Sequence, residues 1–253
     1  VVLVVLLTAA GLVLLYSTST YNGRVKFHDP AYYLKKQLFA TALGFLVLYV
    51  VANMDYHVIA GFAVPLYVIS LLLGIAVLLF GDEYNGSRRW LSLGPLSFQP
   101  AEFAKVAVII LLAWHICRYK KDMGKMGFMV KTMAMVLPVV GLVGTNNLST
   151  AVIILGIGVI LIFVANPKYK QFVGIGAAGI GFIAIFLSLE SYRLERLAVW
   201  RDPESYDKGF QTIQGLYAIG SGGIFGKGLG SSLQKLGFVP EAQNDMIFSI
   251  ICE

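Results

Sequence analysis

The sequence predicts an all-α, polytopic transmembrane bundle, and three observations predict it. Of 253 residues, 57% are hydrophobic and only 13% are charged, about half the charge of an average soluble domain. The mean hydropathy is +0.75. The apolar residues also come in long uninterrupted runs, which excludes a disordered chain and a nucleic-acid module built on basic clusters.

A helix that crosses a bilayer needs roughly 20 mostly apolar residues. In chain order the runs that qualify are Val1–Thr20, Gln37–Met54, Val58–Phe80, Pro100–Cys117, Phe128–Thr145, Leu148–Ala165 and Phe172–Leu189, with an eighth starting near Met246. No charged leader or small-residue cleavage site precedes the first run, so it reads as a membrane helix rather than a signal peptide. Pro65 and Pro138 fall inside the third and fifth runs and should bend them, the freed carbonyls finding partners on neighbouring helices. Only the fourth and fifth runs carry charge, at Glu102 and Lys105 and at Lys131.

Most connections are short. The long ones are Tyr21–Lys36, Gly81–Gln99 and Glu190–Asn244, and simple alternation of the helices puts all three on one side. One domain over residues 1–253 is expected, with residues 190–244 as a large external loop. The net charge of +6 is divided between the two sides. Seven Lys and Arg, from Arg118 to Lys170, lie on the short-loop side; the remaining thirteen of twenty lie on the long-loop side. Cytoplasmic loops are marked by dense basic runs close to the helices, and Arg118–Lys125 and Lys168–Lys170 are such runs. The long loops are therefore expected outside, where their excess of cations calls for an anionic ligand.

Few residues could carry chemistry. Glu102 and Lys105, three apart at the start of the fourth helix, share a face and can pair; the pair is either a self-satisfied interfacial ion pair or a lysine oriented toward an anion. Arg88 and Arg89, in Ser87-Arg88-Arg89-Trp90, offer planar forks suited to phosphate or to headgroup anchoring. The Gly-rich stretch Gly220–Gly230 lacks the spacing and the preceding strand of a P-loop and reads instead as tight turns and close backbone approaches. Asp245 stands where the long loop re-enters the membrane, either capping a helix or serving as a base. Cys117 and Cys252 form no disulfide or metal framework, and the three histidines are scattered.

These segments together resemble the SEDS family (shape, elongation, division and sporulation), which includes FtsW, SpoVE and RodA. Ser87-Arg88-Arg89-Trp90-Leu91 with Gln99-Pro100-Ala101-Glu102-Phe103-Ala104-Lys105 is similar to its R-W-I/L and Q-P-S-E-x-x-K signature, and Asn147-Leu148-Ser149-Thr150-Ala151 to its D-L-G-T-A. The series from Gly209-Phe210-Gln211 through Gly220–Gly223, Gly228-Leu229-Gly230 and Pro240-Glu241 to Asn244-Asp245-Met246-Ile247-Phe248 is the most specific part. The run Pro240–Asp245 brings the chain nearer to FtsW and SpoVE than to RodA. Ala101, Asn147 and Ser149 depart from the family's Ser, Asp and Gly. The family usually has ten helices, so the chain is expected to be incomplete at its C-terminal end.

The resemblance implies polymerisation of lipid II into peptidoglycan glycan strands in the bacterial cytoplasmic membrane, during division or sporulation. It implies Asp245 as the catalytic residue and a required role for Glu102 and Lys105. With Arg88 and Arg89 these would take the diphosphate, with Arg193, Arg196 and Arg201 as secondary contributors and Gln211 and Gln214 shaping the sugar cleft. A divalent cation could bridge the diphosphate, although no ligand cluster announces one. A class B penicillin-binding protein and the divisome or elongation proteins are the implied partners, and no nucleic acid is. A lipid II flippase, or a scaffold that recruits a transpeptidase, are the alternatives.

Overall fold

The structure is a computed structural model that describes residues 1–84, 87–93, 96–122, 124–166 and 198–253, with scattered positions from 168 to 181. In chain order its helices are α1 (Val2–Phe27), α2 (Tyr32–Ala52), α3 (Tyr56–Gly61), α4 (Ala63–Phe80), α5 (Pro100–Arg118), α6 (Met126–Ala134), α7 (Leu137–Gly144), α8 (Leu148–Ala165), α9 (Phe210–Gly222) and α10 (Ile247–Cys252). Strands β1 (Asp82–Tyr84), β2 (Ser87–Leu93) and β3 (Leu96–Phe98) lie between α4 and α5. Six spans among the described residues, counting α6 and α7 as one, are long and apolar enough to cross a membrane. The chain is a multi-pass membrane protein. The expected span Phe172–Leu189 lies largely outside the described residues.

Several expected boundaries move, each for a local reason. Residues 21–27 and 32–36, read as loop, continue α1 and begin α2. The turn shrinks to four residues because His28 takes a left-handed conformation (φ 57°) and the Asp29 carboxylate accepts from the Ala31 amide at 2.9 Å and from Lys35 Nζ at 2.7 Å. Pro65 does not bend a continuous helix. It sits in the first turn of α4, where its missing N–H has no intrahelical partner to lose, and α3 is split off before it. Pro138 likewise opens α7, so the expected helix Phe128–Thr145 is two consecutive helices. Tyr67 of α4 donates its hydroxyl to the Met135 carbonyl at that break, at 2.6 Å, which keeps a polar group at the interruption satisfied.

The chain divides into two compact units. One comprises Met54–Gly181. Its core is where α4, α5, α7 and α8 meet: Ala104, Val108 and Leu112 of α5 pack with Val139 and Ile154, and Val136 joins them from the α6–α7 break. Gly158 of α8 lets Val136 approach, since a Cβ there would stand 3.0 Å from its side chain. The other comprises Val1–Asn53 and Phe182–Glu253. In it α9 packs on α10 around Ala218, Val239, Ala242 and Ile250. No residue of α2 is buried; a helix this apolar with its side chains outward has lipid rather than water as its solvent.

Candidate functional site

Within the segment 81–99, expected to be a polar, Gly-rich loop, the chain forms an antiparallel three-stranded sheet in the order β1-β2-β3. Leu91, Ser92 and Leu93 face Phe98, Ser97 and Leu96, and Glu83 is registered with Arg88. That register brings Arg88 within 3.7 Å of the Glu83 carboxylate. Successive residues of a strand point to opposite faces, and the neighbouring Arg89 turns elsewhere: its Nε donates to the Asn146 carbonyl at 2.8 Å and its guanidinium to Ser87 Oγ at 3.3 Å. Arg89 thus ties the sheet to the α7–α8 junction, where Asn147 caps α8 by accepting from the Thr150 amide at 3.2 Å. Arg88 and Arg89 line a cleft with Gln99, Ala101, Asn146 and Asn147.

Pro100 opens α5 and puts Glu102 in its first turn, where the positive end of the helix dipole favours a carboxylate. Lys105 Nζ lies 2.8 Å from Glu102 Oε2, with the lysine side chain 24% exposed and the carboxylate 57%. Neither lines the cleft formed by the two arginines. The lysine is oriented by its partner and keeps donor capacity free for a second anion.

In the other unit, Asp245 is exposed, and its carboxylate takes part in no hydrogen bond or ion pair among the described residues. It does not cap the last helix: Met246 holds the cap position of α10, without a side-chain bond. The preceding turn is organised by Glu241, a non-glycine residue at φ 51°. Its carbonyl accepts from the amides of Asn244 at 2.9 Å and Met246 at 3.4 Å, and its carboxylate from Asn244 Nδ2 at 2.7 Å. Gln243, buried, accepts from Asn22 Nδ2 of α1 at 2.7 Å. The backbone around Asp245 is therefore fastened on both sides while its own side chain stays free.

Gln211 and Gln214 are half-buried on α9. Arg201 is exposed. Arg193 and Arg196 lie outside the described residues. Among the described residues no three His, Cys, Asp or Glu side chains gather as a metal-holding group. Reading the sequence for chemistry missed Glu241 as the organiser of the turn and Asn22 as its anchor. The Pro240-Glu241 pair before a polar run was the available signal for the first; nothing local signals a partner 221 residues away.

The family described as "Cell cycle protein", that of FtsW, RodA and SpoVE, matches residues 1–253. A probable peptidoglycan glycosyltransferase FtsW from Geobacter sp. (strain M18) is 34% identical over 255 residues, covering 98% of this chain and 70% of the relative. The stage V sporulation protein E of Bacillus subtilis (strain 168) is 35% identical over 270 residues, covering 100% of this chain and 71% of the relative. Among solved structures, a chain of a peptidoglycan synthase complex that coordinates polymerization and crosslinking superposes with a TM-score of 0.68 at 31% identity, over 97% of this chain and 69% of that one.

Proposed function

The chain belongs to the cell cycle protein family of FtsW, RodA and SpoVE, and from that premise we propose that it is a peptidoglycan glycosyltransferase that polymerises lipid II into glycan strands. It is a membrane enzyme of the cytoplasmic membrane, with its large loop and its chemistry on the external face. The observation that carries the mechanism is the exposed, unbonded carboxylate of Asp245 on an otherwise fastened turn.

Asp245 takes the proton of the acceptor GlcNAc 4-hydroxyl as that oxygen attacks C1 of the donor MurNAc. The C1–O bond breaks and undecaprenyl diphosphate leaves with the bonding pair. A positioned base contributes about 10²- to 10⁴-fold to such a step. The charge growing on the diphosphate is met by Lys105, held by Glu102, and by Arg88 and Arg89, acting as fixed cations near a low-dielectric medium. Arg193, Arg196 and Arg201 are secondary cationic contributors, and Gln211 and Gln214 bound the sugar site. One carboxylate that activates the attacking oxygen, with no second one acting as nucleophile, gives a single displacement and inversion at the anomeric carbon.

The likeness to a chain of a peptidoglycan synthase complex supports a class B penicillin-binding protein as partner, which would crosslink the strands made here. The test is purified full-length protein with that partner and lipid II, scored for glycan ladders. Wild type should give ladders. Asp245→Asn should give none while still binding lipid II. Ladders of wild-type length from Asp245→Asn would remove Asp245 from the chemistry, and lipid II transbilayer movement without ladders from wild type would favour a flippase.

A further inference from the structure

The Gly-rich stretch that fails as a nucleotide loop has another use. Glu253 follows α10, and its side chain is fully buried. Lys227, in the middle of that stretch, places Nζ 2.6 Å from Glu253 Oε1. Ser221, near the end of α9, donates to the same oxygen at 3.2 Å. Ser232 Oγ donates to Oε2 at 2.5 Å, and the amides of Leu233 and Gln234 donate at 3.3 and 3.1 Å. One carboxylate therefore gathers the end of α9, the Gly-rich loop, the turn at 232–234 and α10.

The backbone is shaped for this. Gly226, Gly228 and Gly230 take φ of +70°, +94° and +85°, values that L side chains rarely adopt, and they wrap the loop so that Lys227 points back at Glu253. A buried charge is tolerated only when it is paired and its remaining lone pairs are filled, and five donors do so here. Lys227 Nζ is also 3.0 Å from Ser221 Oγ, so this cation is committed to the protein rather than offered to a substrate.

From Gln234 onward the chain runs out through Val239 and Glu241 to Asp245, then back along α10 to the carboxylate that holds Gln234. Asp245 rides on a loop whose two ends are clasped by a single side chain. We propose that Glu253, with Lys227 as its counter-ion, is a positioning residue that sets the place of the Asp245 carboxylate. This rests on the reading of Asp245 as the base.

The experiment uses the full-length protein and lipid II. Glu253→Gln keeps the shape, removes the charge and presents an NH₂ to groups that are themselves donors. Misplacing a reacting group by about 1 Å costs on the order of 10²-fold, so kcat should fall by about 10- to 100-fold with KM for lipid II within about twofold. Amide hydrogen exchange at Leu233 and Gln234 should accelerate. Lys227→Met should do the same more weakly, the double variant should be no worse than Glu253→Gln alone, and Glu253→Asp should restore part of kcat. Wild-type kcat in Glu253→Gln, a rise in KM with kcat unchanged, or lost activity with exchange at 233–234 unchanged would each overturn the proposal. If Glu253→Gln does not elute as a monodisperse protein, Lys227→Met carries the same comparison. Exchange is read without turnover, so a failure of the clasp is distinguishable from a failure of Asp245 as base, which Asp245→Asn reports.

Discussion

Two glycines of α9, two residues apart, should respond oppositely to the same substitution. A Cβ at Gly220 meets nothing within 4 Å. Gly220→Ala should therefore stabilise the protein by about 0.5–1 kcal/mol through helix propensity and lost unfolded-state freedom. A Cβ at Gly222 would collide with the carbonyl oxygen of Cys252 and stand 2.8 Å from the Cα of Glu253. Those are backbone atoms, which cannot rotate away, so α9 must back off from α10. Overpacking of this kind costs about 1–3 kcal/mol, and Gly222, as the last residue of the helix, regains little propensity. The two variants should differ by roughly 1.5–4 kcal/mol, or at least about 3 °C in unfolding midpoint at about 2–4 °C per kcal/mol. The assay is thermal unfolding of the purified protein in one detergent, with both variants measured beside wild type. Equal midpoints, or a Gly222→Ala midpoint at or above wild type, would refute the close packing of α9 on α10.

Other outcomes follow from the same geometry. Lys105→Glu sets two carboxylates one turn apart on α5, and it should weaken diphosphate-bearing ligands about tenfold more than sugar-only fragments; equal loss for both by calorimetry would make the pair purely structural. Tyr67→Phe leaves the Met135 carbonyl without its hydroxyl partner and should cost about 0.6–2 kcal/mol, the range for hydrogen bonds between membrane helices, read as a lower unfolding midpoint with the fold retained. Asp29 is held below the usual carboxylate range by its hydrogen bond from Lys35 and then by the Ala31 amide. A depressed carboxylate contributes above its unfolded value of about 3.9 and loses that contribution as pH falls through its folded value. The α1–α2 turn should thus be unchanged from pH 8 to 5 and loosen only below about pH 4, as followed by exchange at the Ala31 amide.

Much of the fold was legible because lipid imposes a single demand on a spanning segment. The α5 and α8 boundaries fall within a residue of the apolar runs, since a proline opens α5, Arg118 ends it and the capping Asn147 opens α8. The sheet at 82–98 was not legible: two of its strands are three residues long, glycines stand between the strands, and β2 alternates only over Leu91-Ser92-Leu93, too short to signal a strand. Pro65 and Pro138 announced irregularities, but a proline is compatible with a bend or with a helix start, and only packing decided for the start. At the candidate site, the Glu102–Lys105 pair was readable because three residues along a helix is contact distance. The Asn22–Gln243 and Lys227–Glu253 bonds were not, because the chain must return from far away to make them.

The length of α1 has a consequence for where Asp245 sits. At 1.5 Å per residue its 26 residues extend about 39 Å, more than the roughly 30 Å of a hydrocarbon layer. The surplus of about 9 Å is about its last six residues, Asn22 to Phe27. They stand as a mast, and Asn22 fastens the Asp245 segment to it through Gln243. The distance of that segment from the end of the apolar part of α1 is then fixed by counting residues along a helix. One residue inserted below Asn22 would raise that mooring by about 1.5 Å and swing it by about 100°, carrying the carboxylate with it.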